Sequence, residues 1–400
     1  MSRLRVLAFS DVALPEGSGG VERQIEEVYG RWVAAGDAEV LLVALGDQSL
    51  PRRDVRRGVR IVRASQLNLG RLTGMQATLS WGVWPLAFKA ARVFRPDVVH
   101  AHTLFYASSP AAAAIARRED LPLALTAHIG SLDALPGPQR AASRLYESTI
   151  GRALVRQADV TICVGESVRR HIEGLGGREP HLRVVPNGVD RGRFHPGPRQ
   201  LIERERGAGE PLIIVSAGRL IFNKGHHAVI DAVRALDEDG LPVELRIAGD
   251  GPMRDELEQR AADLTARGVV TFLGQRDDIE DVVRDADVFV RASMTESMPM
   301  GVLEGMATGL AVVASDVGST REIVEDGRTG LLVRPEQPVD LVEALRCLAS
   351  DAALRRELGR NAREATERFS WDASAAGTLE AVHEAVRLHR ARSAASEPVR

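Results

Sequence analysis

RASMTESMPMGVLEGMATGLAVVAS, residues 291–315, follows the apolar run Val288-Phe289-Val290, and its reading decides the fold. The apolar run has the look of a short buried strand. Polar residues and Pro299 then break the pattern, so a loop is expected from Met294 to Met300. Val302 to Thr308 carries a short helical pattern that stops at Gly309, a usual helix-ending residue. Leu310 to Ala314 is again apolar and partly β-branched. The result is a strand–loop–helix–strand unit with two carboxylates. Glu296 falls in the loop at the C-terminal end of a strand, where open α/β sheets bind ligands. Glu304 is predicted in the first helical turn, and the backbone N–H groups of Met300, Gly301, Val302 and Leu303 are predicted free to face an anion. Carboxylates suit hydroxyls and free N–H groups suit phosphates, so a sugar nucleotide fits. Two solvated surface glutamates are the competing reading.

The same alternation extends along the chain in both directions. Strands are expected at 5–10, 39–45, 59–63, 97–102, 123–128, 160–164 and 182–185. Helices are expected between them at 21–35, 75–94, 111–117 and 139–157. Residues 190–209, rich in Arg, Gly and Pro, break the pattern. It restarts with strands at 212–216, 243–248 and 270–273 and helices at 225–236, 253–266 and 279–286. Beyond Val333 only helices are expected, the last from Ala373 to about Arg392. Such alternation implies α/β architecture, with parallel, doubly wound sheets covered on both faces. We read residues 1–195 as a first domain, 196–210 as a linker, 211–372 as a second domain, and 373–400 as a helix returning to the first.

Composition agrees with more than one globular domain. The chain has 400 residues, 44% hydrophobic and 27% charged, with a net charge of −3. That balance implies no nucleic-acid-binding surface. No run approaches the length of a membrane-spanning helix, and the N-terminal apolar run, ending at Asp11, is short for a signal peptide. Cys163 and Cys347 lie in separate apolar segments and read as buried free thiols, which points to the cytoplasm.

Three further stretches carry chemistry. Gly17-Ser18-Gly19-Gly20 joins the first strand to the first helix, and reads either as a phosphate-binding loop, without the GxGxxG spacing of a dinucleotide fingerprint, or as a flexible loop. His100 and His102 share one side of a strand and His128 ends another. They could hold a metal, or one or two could line a cleft while the rest pack. Arg219 and Lys224 flank the loop between the first strand and first helix of the second domain, giving a planar donor and a point charge beside a helix N-terminus, with a solvated basic loop as the competing reading. The stretch with Trp81, Trp84, Phe88, Lys89, Arg92 and Arg95 reads either as a helix packed on its own sheet or as a surface at a membrane interface.

Together these pieces resemble a family. GSGGVER at 17–23, DVVHAH at 97–102, LTAH at 125–128, VVPNGVD at 184–190, GRLIFNKG at 218–225, IAGDGP at 247–252 and ESMPMGVLE at 296–304 occur in the order seen in the retaining glycosyltransferases of family four. Seven residues separate the two carboxylates of the last motif, as in that family. The resemblance implies the GT-B fold: two Rossmann-like domains facing a central cleft, with a C-terminal helix crossing back to the first. It implies that Gly19 and Gly20 border the diphosphate and that His128 contacts the transferred sugar. Arg219 and Lys224 would hold the diphosphate and stabilise its charge as the glycosidic bond breaks. Glu296 would bind sugar hydroxyls, with the N–H groups from Met300 to Leu303 beside it, and Glu304 would bind the ribose. No cofactor is implied and no metal is expected, because Asp285-Ala286-Asp287 precedes a strand instead of following one. The expected partners are a UDP- or GDP-linked sugar donor and an alcohol or saccharide acceptor, lipid-linked if the Trp81 region touches the inner face of the membrane. A sugar-nucleotide epimerase of the same architecture and a non-catalytic sugar-nucleotide-binding subunit are the competing functions.

Overall fold

A computed structural model of the chain describes residues 3–12, 19–46, 50–68, 78–104, 107–128, 137–197 and 210–396. It comprises two compact units, residues 1–186 with 371–400, and residues 187–370.

The first unit is built on strands β1 (Leu4–Ser10), β2 (Ala38–Gly46), β3 (Arg53–Arg56), β4 (Val59–Ser65), β5 (Leu67–Asn68), β6 (Thr78–Leu79), β7 (Val98–His102), β8 (Leu123–Ala127), β9 (Val160–Cys163) and β10 (Leu182–Val184). Its main sheet has the order β10-β9-β8-β7-β1-β2-β4-β3. All pairs are parallel except β3 with β4. Helices cover both faces, so the central strands β7 and β8 are buried at every position. The chain runs outward in one direction from β1 and in the other from β7. The switch point therefore lies between β1 and β7, the place where such sheets open a crevice. The helix Trp371–Ser396 belongs to this unit. Trp32 Nε1 donates to the Ala375 carbonyl at 2.8 Å, and Arg392 pairs with buried Asp159 at 2.8 Å.

The second unit holds β11 (Leu212–Ala217), β12 (Val243–Ala248), β13 (Val270–Gly274), β14 (Val288–Arg291), β15 (Ala311–Ser315) and β16 (Leu331–Val333). Every pair is parallel, in the order β13-β12-β11-β14-β15-β16. Its switch point lies between β11 and β14. Val229, Ile230, Val233 and Leu236 line the inner face of the helix His226–Glu238 and are completely buried. Each such side chain contributes about 1.5–3 kcal/mol over an exposed position.

Several expectations are corrected. Of the helix expected at 75–94, residues 75–77 lie outside the described residues, Thr78–Leu79 is the short strand β6, and the helix runs from Val83 to Phe94. The helix expected at 139–157 is three segments, with a π-helical turn over Glu147–Gly151. β3 went unpredicted because RDVR has one apolar residue, and that residue, Val55, faces solvent on an edge strand. Residues 187–195 group with the second unit, and the returning segment starts at Trp371. Most of the expected linker, 198–209, lies outside the described residues. Cys163 is buried, its thiol pushed up to about 12 chiefly by burial, whereas Cys347 is exposed. Leu341, Leu345 and Leu348 take the inner face of its helix, which leaves position 347 outside. Among the described residues no helix is long and apolar enough to cross a membrane.

Candidate active site

In the second unit the loops leaving β11 and β14 meet at the switch point. Gly225 ends a 3-10 turn, Phe222–Lys224, and begins the next helix in a left-handed conformation, φ 71°. Its missing side chain matters, because a Cβ there would overlap the carbonyl of Ala292 in the loop after β14. Met294 N–H donates to the Asn223 carbonyl at 2.9 Å and ties the two loops together. This close approach sets Lys224 against Glu296. The Lys224 ammonium donates to both carboxylate oxygens of Glu296, at 2.8 and 2.9 Å, and Ser293 Oγ donates to Oε1 at 2.7 Å.

Beneath the pair lies Arg291, the last residue of β14, to which the sequence assigns no role. Its guanidinium is buried, donates to the Ala217 carbonyl and stands 3.9 Å from Glu296. It fits because two neighbours lack side chains: a Cβ at Gly218 or Gly301 would come within 2.8 or 3.0 Å of its Nη2. Burial pulls the Arg291 guanidinium below its ordinary value, against the negative charges of Glu296 and Glu304. Burial likewise pushes the Glu296 carboxyl up, but Lys224, Arg291 and the hydrogen bonds outweigh it, so Glu296 is held below its ordinary value. The site is thus a buried carboxylate between two cations. The available sequence signal for Arg291 is a lone charge ending an apolar strand.

Two expectations shift here. The helix runs from Met300 to Thr308, so Glu304 lies in its second turn, not its first, and is buried. The expected helix starts two residues late because Pro299 and Met300 read as loop. Val302 and Leu303 donate their N–H groups to the Pro299 carbonyl, at 3.1 and 3.3 Å. Met300 and Gly301 alone of the four have no backbone acceptor among the described residues. Arg219 is exposed at the start of the β11 loop.

In the first unit, Gly19 caps the helix Gly20–Ala35 with extended backbone, while Gly17 and Ser18 of the glycine loop lie outside the described residues. His128 immediately follows β8, two strands from β1, a lateral spacing of about 10 Å. His100, His102 and His128 are all buried, and their ring nitrogens turn to each other, to Tyr29 and to Thr126. Among the described residues no group of three His, Cys, Asp or Glu side chains is arranged to hold a metal. Tyr29 was missed, since one tyrosine on a helix face gives no signal.

Burial lowers His100 and His128 to about 3 and His102 well below its ordinary value, with neighbouring histidines adding to the effect on His100 and His102. Between pH 6.5 and about 3 the unfolded chain therefore binds more protons than the folded one. This stability is fully present above pH 6.5 and is lost as pH falls, because protons that bind the histidines of the unfolded chain are excluded from the folded one. A melting temperature that declines steadily from pH 7 to pH 5 is the expected result, and a flat profile would contradict it.

Comparisons with known proteins identify the family. The family model "Glycosyltransferase Family 4" matches residues 18–193 and "Glycosyl transferases group 1" matches residues 199–365. The sulfoquinovosyl transferase SQD2 of Arabidopsis thaliana is 31% identical over 74% of this chain, which spans 58% of that protein's length. The D-inositol 3-phosphate glycosyltransferase of Nocardia farcinica is 31% identical over 74% of this chain and 68% of its own. Among solved structures, Anabaena HepE in complex with UDP and glucose superposes with a TM-score of 0.75, at 21% identity, over 95% of this chain and 100% of that one. With both family models matching in tandem and the GT-B arrangement of two parallel-sheet units, the chain belongs to the family-four glycosyltransferases.

Proposed function

We propose that the protein moves a sugar from a UDP- or GDP-linked donor to an alcohol acceptor with retention of anomeric configuration and without a metal ion. The observation that carries this reading is the Lys224–Glu296 pair at the switch point of the second sheet, with the buried Glu304 on the helix that follows the Glu296 loop. Lys224 and Arg219 hold the diphosphate and stabilise the leaving charge. The N–H groups of Met300 and Gly301 add two donors toward the phosphates or sugar. Glu296 accepts from sugar hydroxyls and Glu304 from the ribose. On the first unit, Gly19 and Gly20 border the diphosphate and His128 contacts the sugar. The bond from the anomeric carbon to the phosphate oxygen breaks while the acceptor oxygen bonds to the same face. The acceptor's proton passes to the departing phosphate oxygen. HepE, whose complex holds UDP and glucose, fits this donor class.

Thermal stabilisation by a panel of nucleotide sugars, on wild type and on Glu304→Ala, tests the reading. A ligand at one hundred times its dissociation constant adds about 2.7 kcal/mol. One donor shifting the wild type and far less the variant is the expected result. No shift with any donor counts against a nucleotide site. Donor turnover without acceptor favours an epimerase, and binding without any turnover favours a non-catalytic subunit.

The acceptor reading extends to the helix Val83–Phe94. Val83, Ala87, Ala90, Ala91 and Phe94 pack inward, while Trp81, Trp84, Lys89 and Arg92 are exposed or half-exposed. That outer face suits a lipid-linked acceptor at an anionic surface. Co-sedimentation with anionic vesicles at low salt, weakened in Trp81→Ala, is expected. No sedimentation in wild type removes the membrane contact.

A further inference from the structure

His100, His102 and His128 end up in a connected chain, of which the proposed site uses His128 alone. Thr126 Oγ1 lies 2.8 Å from His100 Nε2, and His100 Nδ1 lies 2.8 Å from the Tyr29 hydroxyl. The same hydroxyl lies 2.7 Å from His102 Nε2, and His102 Nδ1 lies 3.0 Å from His128 Nε2. All five side chains are buried, Tyr29 and His100 completely. We propose that Thr126, His100, Tyr29 and His102 form a one-directional hydrogen-bond chain that fixes the tautomer of His128, so that His128 presents its Nδ1–H to the substrate. The proposal deepens the glycosyltransferase reading and rests on His128 contacting the transferred sugar.

The direction follows from counting hydrogens. Burial keeps the imidazoles neutral, so each carries one N–H. The Tyr29 hydroxyl has one hydrogen between two ring nitrogens, so it donates to one histidine and accepts from the other. Each link then dictates the next, and only two arrangements exist. In one, Thr126 donates to His100, His100 to Tyr29, Tyr29 to His102 and His102 Nδ1–H to His128 Nε2. The remaining hydrogen of His128 is then on Nδ1. In the reverse, Thr126 accepts from His100, and its own hydroxyl hydrogen has no other acceptor among the described residues. A buried polar hydrogen left unpaired is costly, so among the described residues the forward arrangement is the favoured one.

Backbone geometry keeps the links in register. Thr103, directly after His102, sits at φ 69°, in the left-handed region that β-branched residues rarely adopt. Its N–H donates to the Thr126 carbonyl at 2.9 Å, holding the ends of β7 and β8 together. The rings of His102 and His128 stack with centroids 5.3 Å apart. A preset donor reaches a sugar hydroxyl with no reorganisation at the moment of reaction. Thr126, His100, Tyr29 and His102 are on this account positioning residues.

The test is the long-range imidazole proton–nitrogen spectrum of the full chain labelled with nitrogen-15 histidine, the His128 signal being assigned from its loss in His128→Asn. Wild type is expected to show His128 protonated at Nδ1. Tyr29→Phe removes the one oxygen that joins two links, so His128 should become a tautomer mixture. Thr126→Val removes only the first hydrogen and should do the same more weakly, while Thr126→Ser restores the wild-type spectrum. In parallel, with the donor identified by the panel above, kcat should fall ~10-fold in Tyr29→Phe with donor KM little changed. His128 protonated at Nε2 in wild type, or unchanged in a folded Tyr29→Phe, overturns the chain. If Tyr29→Phe does not fold, the two Thr126 variants make the same comparison. A changed tautomer with unchanged turnover overturns the substrate-facing role of His128. An absence of turnover with every donor in wild type strikes instead at the transferase reading, and the spectra still decide whether the hydrogen-bond chain exists.

Discussion

Glu296→Gln is expected to lower sugar transfer by roughly 10²–10³-fold, the scale seen when one preorganised polar group at a reacting centre is removed. Glutamine keeps the size and most of the hydrogen-bonding shape, so the loss isolates the charge. In wild type the Glu296 carboxylate receives Lys224 and Ser293 directly and faces Arg291 at 3.9 Å. Without it, two cations share one small space, Arg291 keeps Glu304 as a nearby carboxylate, and Lys224 loses the partner that holds it in place. Arg291 is buried and cannot turn to solvent, so stability should fall too. Breaking a buried pair by removing one partner costs about 3–5 kcal/mol; Glu296→Gln should fall below that, because Lys224 is partly exposed. Steady-state kinetics and urea unfolding separate the two effects. A kcat/KM within about threefold of wild type would remove Glu296 from the reacting centre.

Gly225→Ala is expected to destabilise the unit of residues 187–370 by about 3 kcal/mol or more and to abolish activity. The added methyl has no room, since it would overlap the Ala292 carbonyl, and that carbonyl belongs to the loop carrying Ser293 and Glu296. The loop must move, and the Lys224–Glu296 pair with it. Gly240→Ala is the matched control. Gly240 has φ 77°, close to the 71° of Gly225, but nothing lies within 4 Å of its would-be Cβ. Backbone strain alone should cost it about 1 kcal/mol. Equal losses in the two variants, measured by urea unfolding, would show that close approach of the loops contributes nothing.

The two predictions differ in how far sequence could reach them. Glu296, Arg219 and Lys224 are visible as charges placed where strands end, and Glu304 as a charge on the helix that follows. Strand ends are legible because parallel strands buried on both faces are continuous apolar runs, such as Leu212–Ala217 and Ala311–Ser315. Edge strand Arg53–Arg56 and the helix start at Met300 are not legible, because their local residues give no apolar period. The same holds for the π-helical turn at Glu147–Gly151, which breaks a pattern that reads as one helix.

Sequence by itself determined the alternation of strands and helices, the two sheets and the family, because each rests on local period and on motif order along the chain. Only the tertiary structure decided that Arg291 lies under Glu296, that Gly225 lets two loops touch, and that Tyr29 joins His100 to His102. Each of these joins residues that are not paired by any local pattern, Tyr29 and His102 being 73 positions apart. Such pairings follow from strand order, through β1 beside β7 in one sheet and β11 beside β14 in the other. Strand order is set by which apolar faces pack together, and no local pattern encodes it.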